Sequence, residues 1–345
     1  MKLRLNVTMI GLGVALMSSA PVLAINLLPP ESSADIVDTK TAETLVALHD
    51  RREIQPWTMP SHGELPTGEQ GELIAYGMKI LTYTSRYIGP YAPEKMHRYS
   101  SNNLNCVNCH QAGSSGMPGT KPFALPFVNV VNDYPKLDVK MMRIYTVEDR
   151  ILQMCGTGSV PFAKDSREMK AMVAYMTWLG SKAKRGMGME GAGLEPISMP
   201  ARAASPQTGK TLFEQNCAAC HASTGVGTRQ PDFDQGGGYV FPAIAGDDSY
   251  NDAGHMYMVP LLTRFVHANM PLGSSAAAPI LSINDAFDIS AYVNSELPRK
   301  HFASRTTLYP DPLFRPEGFA IPELFPGDRA AYEASRFGPY KTSNP

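Results

Sequence analysis

Cysteine is scarce in this chain, and blocks of like charge and long apolar runs are missing. The 345 residues include only five cysteines, so a cysteine motif that recurs is hard to ascribe to chance. The net charge is -1 and no basic block stands out, which argues against a nucleic-acid partner. No stretch is apolar over the roughly 20 residues that a membrane-spanning helix needs. We therefore expect a globular protein without a membrane span.

The N-terminus has the pattern of a secretory signal peptide. Lys2 and Arg4 precede an apolar stretch that is too short to cross a bilayer. The sequence Val-Leu-Ala at 22–24 ends in a small residue, as signal-peptidase sites do. We predict that residues 1–24 are a cleaved signal peptide. No cysteine follows this site, so a lipid anchor is not indicated, and we expect a soluble periplasmic protein.

Four of the cysteines lie in two copies of one pentapeptide, CVNCH at 106–110 and CAACH at 217–221. In C-x-x-C-H, two thiols can add to the vinyl groups of one porphyrin, and the histidine reaches the iron. The motifs therefore predict two covalently bound haem c groups. A pair of zinc or redox C-x-x-C sites is the alternative. The predicted attachment residues are Cys106, Cys109, Cys217 and Cys220, and the predicted proximal ligands are His110 and His221.

The rest of the chain repeats around these motifs. Each copy follows a predicted helix and precedes a loop, a short helix, a second loop and a long helix. That is the order of elements in a small cytochrome c domain. The two long helices are predicted at 165–179 and 281–297. Each begins with a capping box, formed by Asp165 and Glu168 in the first helix and by Ser282 and Asp285 in the second.

The repeat predicts the fold class and the domain boundaries. We expect an all-α protein with two cytochrome c-type domains, each binding one covalent haem, with long loops and an irregular C-terminal tail. Glycine, alanine, proline and methionine concentrate between the two cycles, as in a linker. The predicted boundaries are an N-terminal domain at 25–180, a linker at 181–207, a C-terminal domain at 208–297 and a wrapping tail at 298–345.

In the second cycle, a methionine stands where a cytochrome c domain places its distal iron ligand. Met270 lies in the tripeptide Asn-Met-Pro, shortly before the last long helix. We predict that it ligates the second haem iron. Two alternatives stay open, because His267 lies three residues earlier and because Met270 could be one core methionine among the 19 in the chain.

In the first cycle, the equivalent position is a cysteine. Cys155 follows His110 at nearly the interval that separates Met270 from His221, and it is the odd cysteine without a disulfide partner. We therefore favour Cys155 as a thiolate ligand of the first haem, with a buried inert thiol or ligation by Met154 as alternatives. A thiolate stabilises ferric iron, whereas a thioether favours ferrous iron, so the two haems are predicted to differ in potential.

Together these features resemble the dihaem c-type thiosulfate dehydrogenases, which form tetrathionate. The resemblance covers nearly the whole mature chain. It implies that Cys155 is the distal ligand of an active-site haem and that Met270 is that of an electron-exit haem. Some members carry a lysine before the methionine as an alternative ligand, and here that position is Asn269. The matching segments are NNLN at 102–105, EDRI at 148–151, YVFP at 239–242, GDDSYND at 246–252, NMP at 269–271 and RFGP at 336–339.

The resemblance also points to catalytic candidates beside Cys155. The family usually has an arginine-serine pair after the cysteine, whereas this chain has Gly158 and Ser159. Ser159 matches the family serine by spacing, and Arg150 matches an arginine before the cysteine if one residue is inserted. A thiosulfate dianion needs cationic partners. The other cations near this segment are Lys121, Arg143 and Lys164.

The function implied by the resemblance is periplasmic oxidation of thiosulfate to tetrathionate. Two electrons would leave through the haems to an external acceptor such as a small cytochrome c. Two alternatives stay open: a dihaem electron-transfer cytochrome without its own substrate, and a relative that acts on another sulfur oxyanion.

Overall fold

A computed structural model of the chain describes residues 36–341. The predicted signal peptide, residues 1–24, lies outside the described residues. Within 36–341, no helix has both the length and the apolar character needed to cross a membrane.

The described residues are predominantly helical, as expected, with eleven α-helices and six short strands. The helices are α1 (Thr39–Asp50), α2 (Gly68–Thr82), α3 (Thr84–Ile88), α4 (Val130–Asp133), α5 (Val147–Cys155), α6 (Arg167–Leu179), α7 (Pro206–Asn216), α8 (Ala218–His221), α9 (Val259–Asn269), α10 (Ile283–Ser295) and α11 (Arg329–Phe337). The strands are β1 (Ile54–Gln55), β2 (Lys136–Asp138), β3 (Arg143–Tyr145), β4 (Gly188–Met189), β5 (Thr228–Arg229) and β6 (Tyr239–Phe241).

Six short strands accompany the helices in the described residues. β1 pairs in parallel with β4, whereas β2 with β3 and β5 with β6 form antiparallel pairs. Each strand has only two or three residues, so no periodic pattern of side chains is long enough to reveal it in the sequence. The pairs satisfy backbone groups where two loops run side by side.

The first half of the chain is organised by the crossing of α2 and α6. A Cβ atom at Gly77 would lie 2.0 Å from the carbonyl oxygen of Ala171, so only glycine permits this approach of the two backbones. Met169, Met172, Met176 and Leu179 recur at helical spacing in the sequence, and α6 buries all four in the same core.

The second half repeats the crossing with α7 and α10, and α9 packs against α10. Here a Cβ atom at Gly209 would lie 1.9 Å from the carbonyl oxygen of Asp288. Phe213 and Ile289 are buried in an apolar cluster that is separate from that of the first half. A glycine at each crossing therefore brings the two long helices into backbone contact.

The helix caps agree with the sequence in one half and differ in the other. The Ser282 side chain accepts a hydrogen bond from the backbone N–H of Asp285, as predicted for α10. In α6 the predicted Asp165 cap is wrong, because Ser166 immediately precedes the helix and accepts from the backbone N–H of Met169. Glu168 instead accepts a hydrogen bond from the hydroxyl of Tyr76, at 3.0 Å.

The C-terminal tail is less irregular than expected, because it contains α11. Asp328 caps this helix by accepting from the backbone N–H of Ala331. Its single amphipathic stretch of nine residues was too short to be identified by periodicity. The tail contacts both halves: the backbone N–H of Tyr309 donates to the carbonyl of Lys140, and the guanidinium of Arg336 donates to the carbonyl of Asn294 in α10.

Candidate functional site

Both C-x-x-C-H motifs fold into a single helical turn. The backbone N–H of His110 donates to the carbonyl of Cys106 at 2.9 Å, and the N–H of His221 donates to the carbonyl of Cys217 at 2.9 Å. In a helical turn, residues three and four apart lie on the same side. Each motif therefore directs its two thiols and its imidazole toward one common region.

The two imidazoles are oriented by backbone carbonyl groups. Nδ1 of His110 lies 2.5 Å from the carbonyl oxygen of Leu125, and Nδ1 of His221 lies 2.8 Å from that of Pro242. A carbonyl can only accept, so Nδ1 carries the proton and Nε2 is left as an acceptor. Burial lowers the pKa of both imidazoles, which keeps them neutral at neutral pH. A neutral imidazole with a free Nε2 is the form that binds a metal.

This donor set fits covalent haem c. All five cysteines lie in the described part of the chain, and none of them forms a disulfide. The imidazole of His110 is also stacked on Phe127, with ring centroids 4.3 Å apart. Between residues 36 and 341, no group of three or more histidine, cysteine, aspartate or glutamate side chains is arranged to hold a metal ion.

Cys155 lies beside the first motif. It ends α5, its exposed fraction is 9%, and it packs with Cys106 in the first apolar cluster. This contact and burial raise the pKa of the Cys155 thiol. Met154, the alternative ligand, is 51% exposed and points away from this core. The odd cysteine is thus brought to the first motif, and its methionine neighbour is not.

Met270 lies beside the second motif. It caps the C-terminus of α9 and packs on the second apolar cluster, together with Cys217. His267, the alternative ligand, is buried, and its Nδ1 lies 2.6 Å from a carboxylate oxygen of Glu195, which leaves Nε2 available. Met270 therefore stays the predicted ligand, with His267 as the alternative.

The loop after Cys155 packs too tightly for the arginine that the family usually carries there. The backbone N–H of Gly158 donates to the carbonyl of Tyr99 at 2.7 Å. A Cβ atom at Gly158 would lie 2.3 Å from the carbonyl oxygen of Arg98, so any side chain would require the loop to move. Ser159, the next residue, is exposed.

Arg150 is held by protein groups rather than left free. Its guanidinium lies 2.5 Å from a carboxylate oxygen of Asp138, and its Nε donates to the hydroxyl of Tyr134 at 3.1 Å. Lys164 pairs with Asp149. These ion pairs reduce the charge that Arg150 and Lys164 offer to an external anion.

The structure adds a cationic cluster that the sequence did not reveal. Lys136, Lys140 and Arg150 lie near the imidazole of His255, and Asp138 and, beside Lys136, Asp133 offset part of their charge. Burial is the main cause that lowers the pKa of Lys140 to about 8 and that of His255 to about 4. His255 is more than 100 residues from the others in the chain, so no local pattern indicates that it meets them.

Comparison with known proteins places this geometry in a family. The family model described as Cytochrome c matches residues 206–296. The thiosulfate dehydrogenase of Psychrobacter arcticus is 32% identical over 73% of this chain and 71% of its own length. That of Allochromatium vinosum is 31% identical over 72% of this chain and 86% of its own.

A solved structure shows a related fold. The thiosulfate dehydrogenase TsdBA from Marichromatium purpuratum, in its as-isolated form, matches with a TM-score of 0.59 and 28% identity. The match covers 69% of this chain and 49% of that chain, so this chain spans about half of the solved protein. The helix crossings, the C-x-x-C-H turns and these likenesses agree: the chain belongs to the thiosulfate dehydrogenase family of c-type cytochrome oxidoreductases.

Proposed function

We propose that this protein is a periplasmic dihaem cytochrome c that oxidises thiosulfate to tetrathionate and passes the electrons to an external acceptor such as a small cytochrome c. One observation carries the proposal. Cys155 packs with Cys106 of the first motif in the first apolar cluster, as Met270 packs with Cys217 of the second motif in the second. The cysteine sulfur would suit a site for sulfur chemistry in the first half, and the methionine sulfur would suit a site for electron exit in the second.

The proposal assigns one haem to each half of the chain. The N-terminal domain, 25–180, would hold the first haem through Cys106, Cys109 and His110, and the C-terminal domain, 208–297, would hold the second. Residues 181–207 would link the domains, and 298–345 would wrap them. When bound, haem c supplies an iron centre that accepts one electron at a time. The proposed distal residues are Cys155 in the first domain and Met270 in the second.

The reaction needs two electron acceptors and no proton. Two thiosulfate ions join through one new sulfur–sulfur bond, and the pair loses two electrons. We propose that Cys155 presents its sulfur at the place where the substrate sulfur binds. Ser159, exposed on the next loop, would donate its hydroxyl proton in a hydrogen bond to a substrate oxygen.

Positive charge near the first half supports an anionic substrate. Lys136, Lys140 and Arg150 outnumber Asp133 and Asp138 in the cationic cluster, which leaves a small net positive charge there. Because Arg150 is bound to Asp138, we assign it to the field of this charge and to holding α5, not to direct contact with the anion. Such a field raises the local concentration of a dianion.

The relatives support the choice of substrate, because the four curated proteins that match are all thiosulfate dehydrogenases.

One feature favours a second candidate, an electron-transfer cytochrome without its own substrate. Gly158 stands where an arginine is usual, and the packing against Arg98 leaves no space for a cation there.

Haem reduction by substrate distinguishes these candidates. Oxidised holoprotein mixed with thiosulfate should show rapid reduction of haem and release of tetrathionate. A pyridine haemochrome assay on the same sample should give two haems per chain. A protein that stays oxidised with thiosulfate, yet exchanges electrons with a small cytochrome c, would be a carrier only. One haem per chain would contradict the dihaem assignment.

A further inference from the structure

Five residues, 121–125, lie between the two proposed haem sites, and we call them the connector. The carbonyl oxygen of Leu125 orients the imidazole of His110, the proximal ligand of the first motif. The carbonyl oxygen of Phe123, two residues earlier, accepts a hydrogen bond at 3.0 Å from the side-chain amide of Asn269. Asn269 immediately precedes Met270. One short segment therefore contacts the proximal side of one site and the distal side of the other.

The connector is held in an unusual backbone conformation. Phe123 has a φ of 61° and Leu125 a φ of 52°, in the left-handed region that bulky side chains disfavour. Such a conformation persists only where the surroundings impose it. The predicted linker does so here, because the carbonyls of Gly191 and Gly193 accept from the N–H groups of Phe123 and Leu125 at 2.7 and 3.0 Å.

A second contact joins the connector to the far end of the Met270 loop. The ammonium group of Lys121 donates to the carbonyl of Ser274 at 3.0 Å and to the side chain of Gln111 at 3.0 Å. Ser274 closes the loop, because its backbone N–H donates to the carbonyl of Pro271 at 2.9 Å. Side-chain hydrogen bonds to the connector therefore lie on both sides of Met270.

The side chain of Asn269 is held in place between α9 and the connector. Its exposed fraction is 1%, and its amide nitrogen donates to the carbonyls of Phe123 and Phe265, both at 3.0 Å. Both amide hydrogens are thus used, one within α9 and one across to the connector. Hydrogen bonds in such a buried place are costly to lose, because the partner groups are left without water.

We propose that Asn269 and Lys121 are positioning residues that hold the Met270 loop on the connector, so that retention of Met270 on the second iron depends on a segment of the first half. This inference rests on the proposed function, since it takes Met270 as an iron ligand. The proposal also assigns a role to Asn269, which occupies the position where some family members carry a lysine. A change that displaces the connector at His110 should then also loosen Met270.

Competition with imidazole tests this dependence. Oxidised holoprotein is titrated with imidazole while the methionine-to-iron charge-transfer band of the second haem is followed. Imidazole binds only where Met270 has left the iron, so its apparent affinity scales with the population of open loops. Each variant loses one hydrogen bond between the connector and the Met270 loop, besides a second bond of the same side chain, so we expect about tenfold tighter imidazole binding in Asn269→Ala and a similar gain in Lys121→Met.

Two further variants serve as controls. Lys121→Arg keeps a donor and should stay near the wild-type affinity. Lys170→Met removes an exposed lysine on α6 and should change nothing. The decisive result is Lys121→Met, because Lys121 belongs to the first half and its hydrogen bonds go to Gln111 and Ser274, which both lie outside α9. A gain in Asn269→Ala alone would overturn the inference, since loss of its bond within α9 would explain it.

The test separates this inference from the proposed function. A wild-type protein that lacks the charge-transfer band would contradict Met270 as the ligand, and the inference with it. A wild-type protein with the band, whose imidazole affinity is the same in both variants, would contradict only the role of the connector. Thiosulfate-driven haem reduction is measured separately and is not used in either conclusion.

Discussion

The two halves of the chain share one scaffold and differ in the sulfur atom brought to it. In each half, a glycine lets the helix before the motif cross a long helix whose first turn is capped by a serine. Each motif histidine is oriented by a carbonyl from a later loop. In the first half, the sulfur beside the motif belongs to Cys155, inside the last turn of α5, whereas in the second it belongs to Met270, just after α9.

In the proposed function, the shared helix crossing and motif turn would hold the haem, and the residue that differs would set its reactivity. The shared crossing and motif turn are the parts that any cytochrome c domain needs. The distal residue is free to vary, because it stands on a separate helix end and loop. A thiolate and a thioether stabilise opposite oxidation states of iron. The same scaffold can therefore serve chemistry in one half and electron exit in the other.

The largest expected effect comes from removing Cys155. In Cys155→Gly we expect thiosulfate turnover to fall by about three orders of magnitude or more, because the proposed sulfur partner is lost. The first haem should lose its low-potential spectrum, and the second should keep its own. Steady-state assays and potentiometric titration measure both. Normal turnover in this variant would leave the electron-carrier alternative.

The shared helix crossings should be the next most sensitive feature. Gly77→Ala and Gly209→Ala each place a methyl group about 2 Å from a backbone carbonyl oxygen. Such overpacking should cost roughly 3 kcal/mol of unfolding free energy, measured by denaturant titration of the holoprotein. Gly63→Ala is the control, because no atom lies within 4 Å of a Cβ there. Equal losses in Gly63→Ala would show that contact with the facing helix is not the cause.

Replacement of Met270 tests the predicted difference in potential between the two haems. In Met270→Gly the potential of the second haem should fall by on the order of 0.1 V, part of the roughly 0.8 V range that axial ligands span. Transfer to an external cytochrome should slow, while thiosulfate-driven reduction of the first haem should persist. Spectroelectrochemistry resolves the two haems. A second-haem potential that does not move would point to another ligand, with His267 as the first residue to test.

The smallest expected effect tests whether the caps are equivalent. Ser166→Ala and Ser282→Ala each remove one hydrogen bond from a helix N-terminus and should cost about 1 kcal/mol each. Thermal unfolding of the holoprotein measures the loss, with Ser181→Ala as an exposed control. A loss in Ser282→Ala without one in Ser166→Ala would favour the sequence-based cap at Asp165 over the observed one.

The sequence by itself determined the parts whose chemistry lies within a few neighbouring residues. C-x-x-C-H specifies two thiols and an imidazole on one turn, and the repeat located Cys155 and Met270 by their interval from the motif. Periodicity found the long helices, because each is longer than ten residues and has one buried face. It missed α11 and the strands, and it placed the cap of α6 one residue too early.

Only the tertiary structure determined which residues from separate segments of the chain come into contact. Met154 is exposed, whereas His267 is buried with its Nδ1 on Glu195 and its Nε2 available, so the structure separates these two alternative ligands. The cationic cluster, the ion pair of Arg150 with Asp138, and the connector each join residues from separate segments. Such contacts depend on how the segments pack, and packing leaves no local pattern in the sequence. The physical reason is that hydrogen bonds and charges act over a few ångströms of space, whatever the separation along the chain.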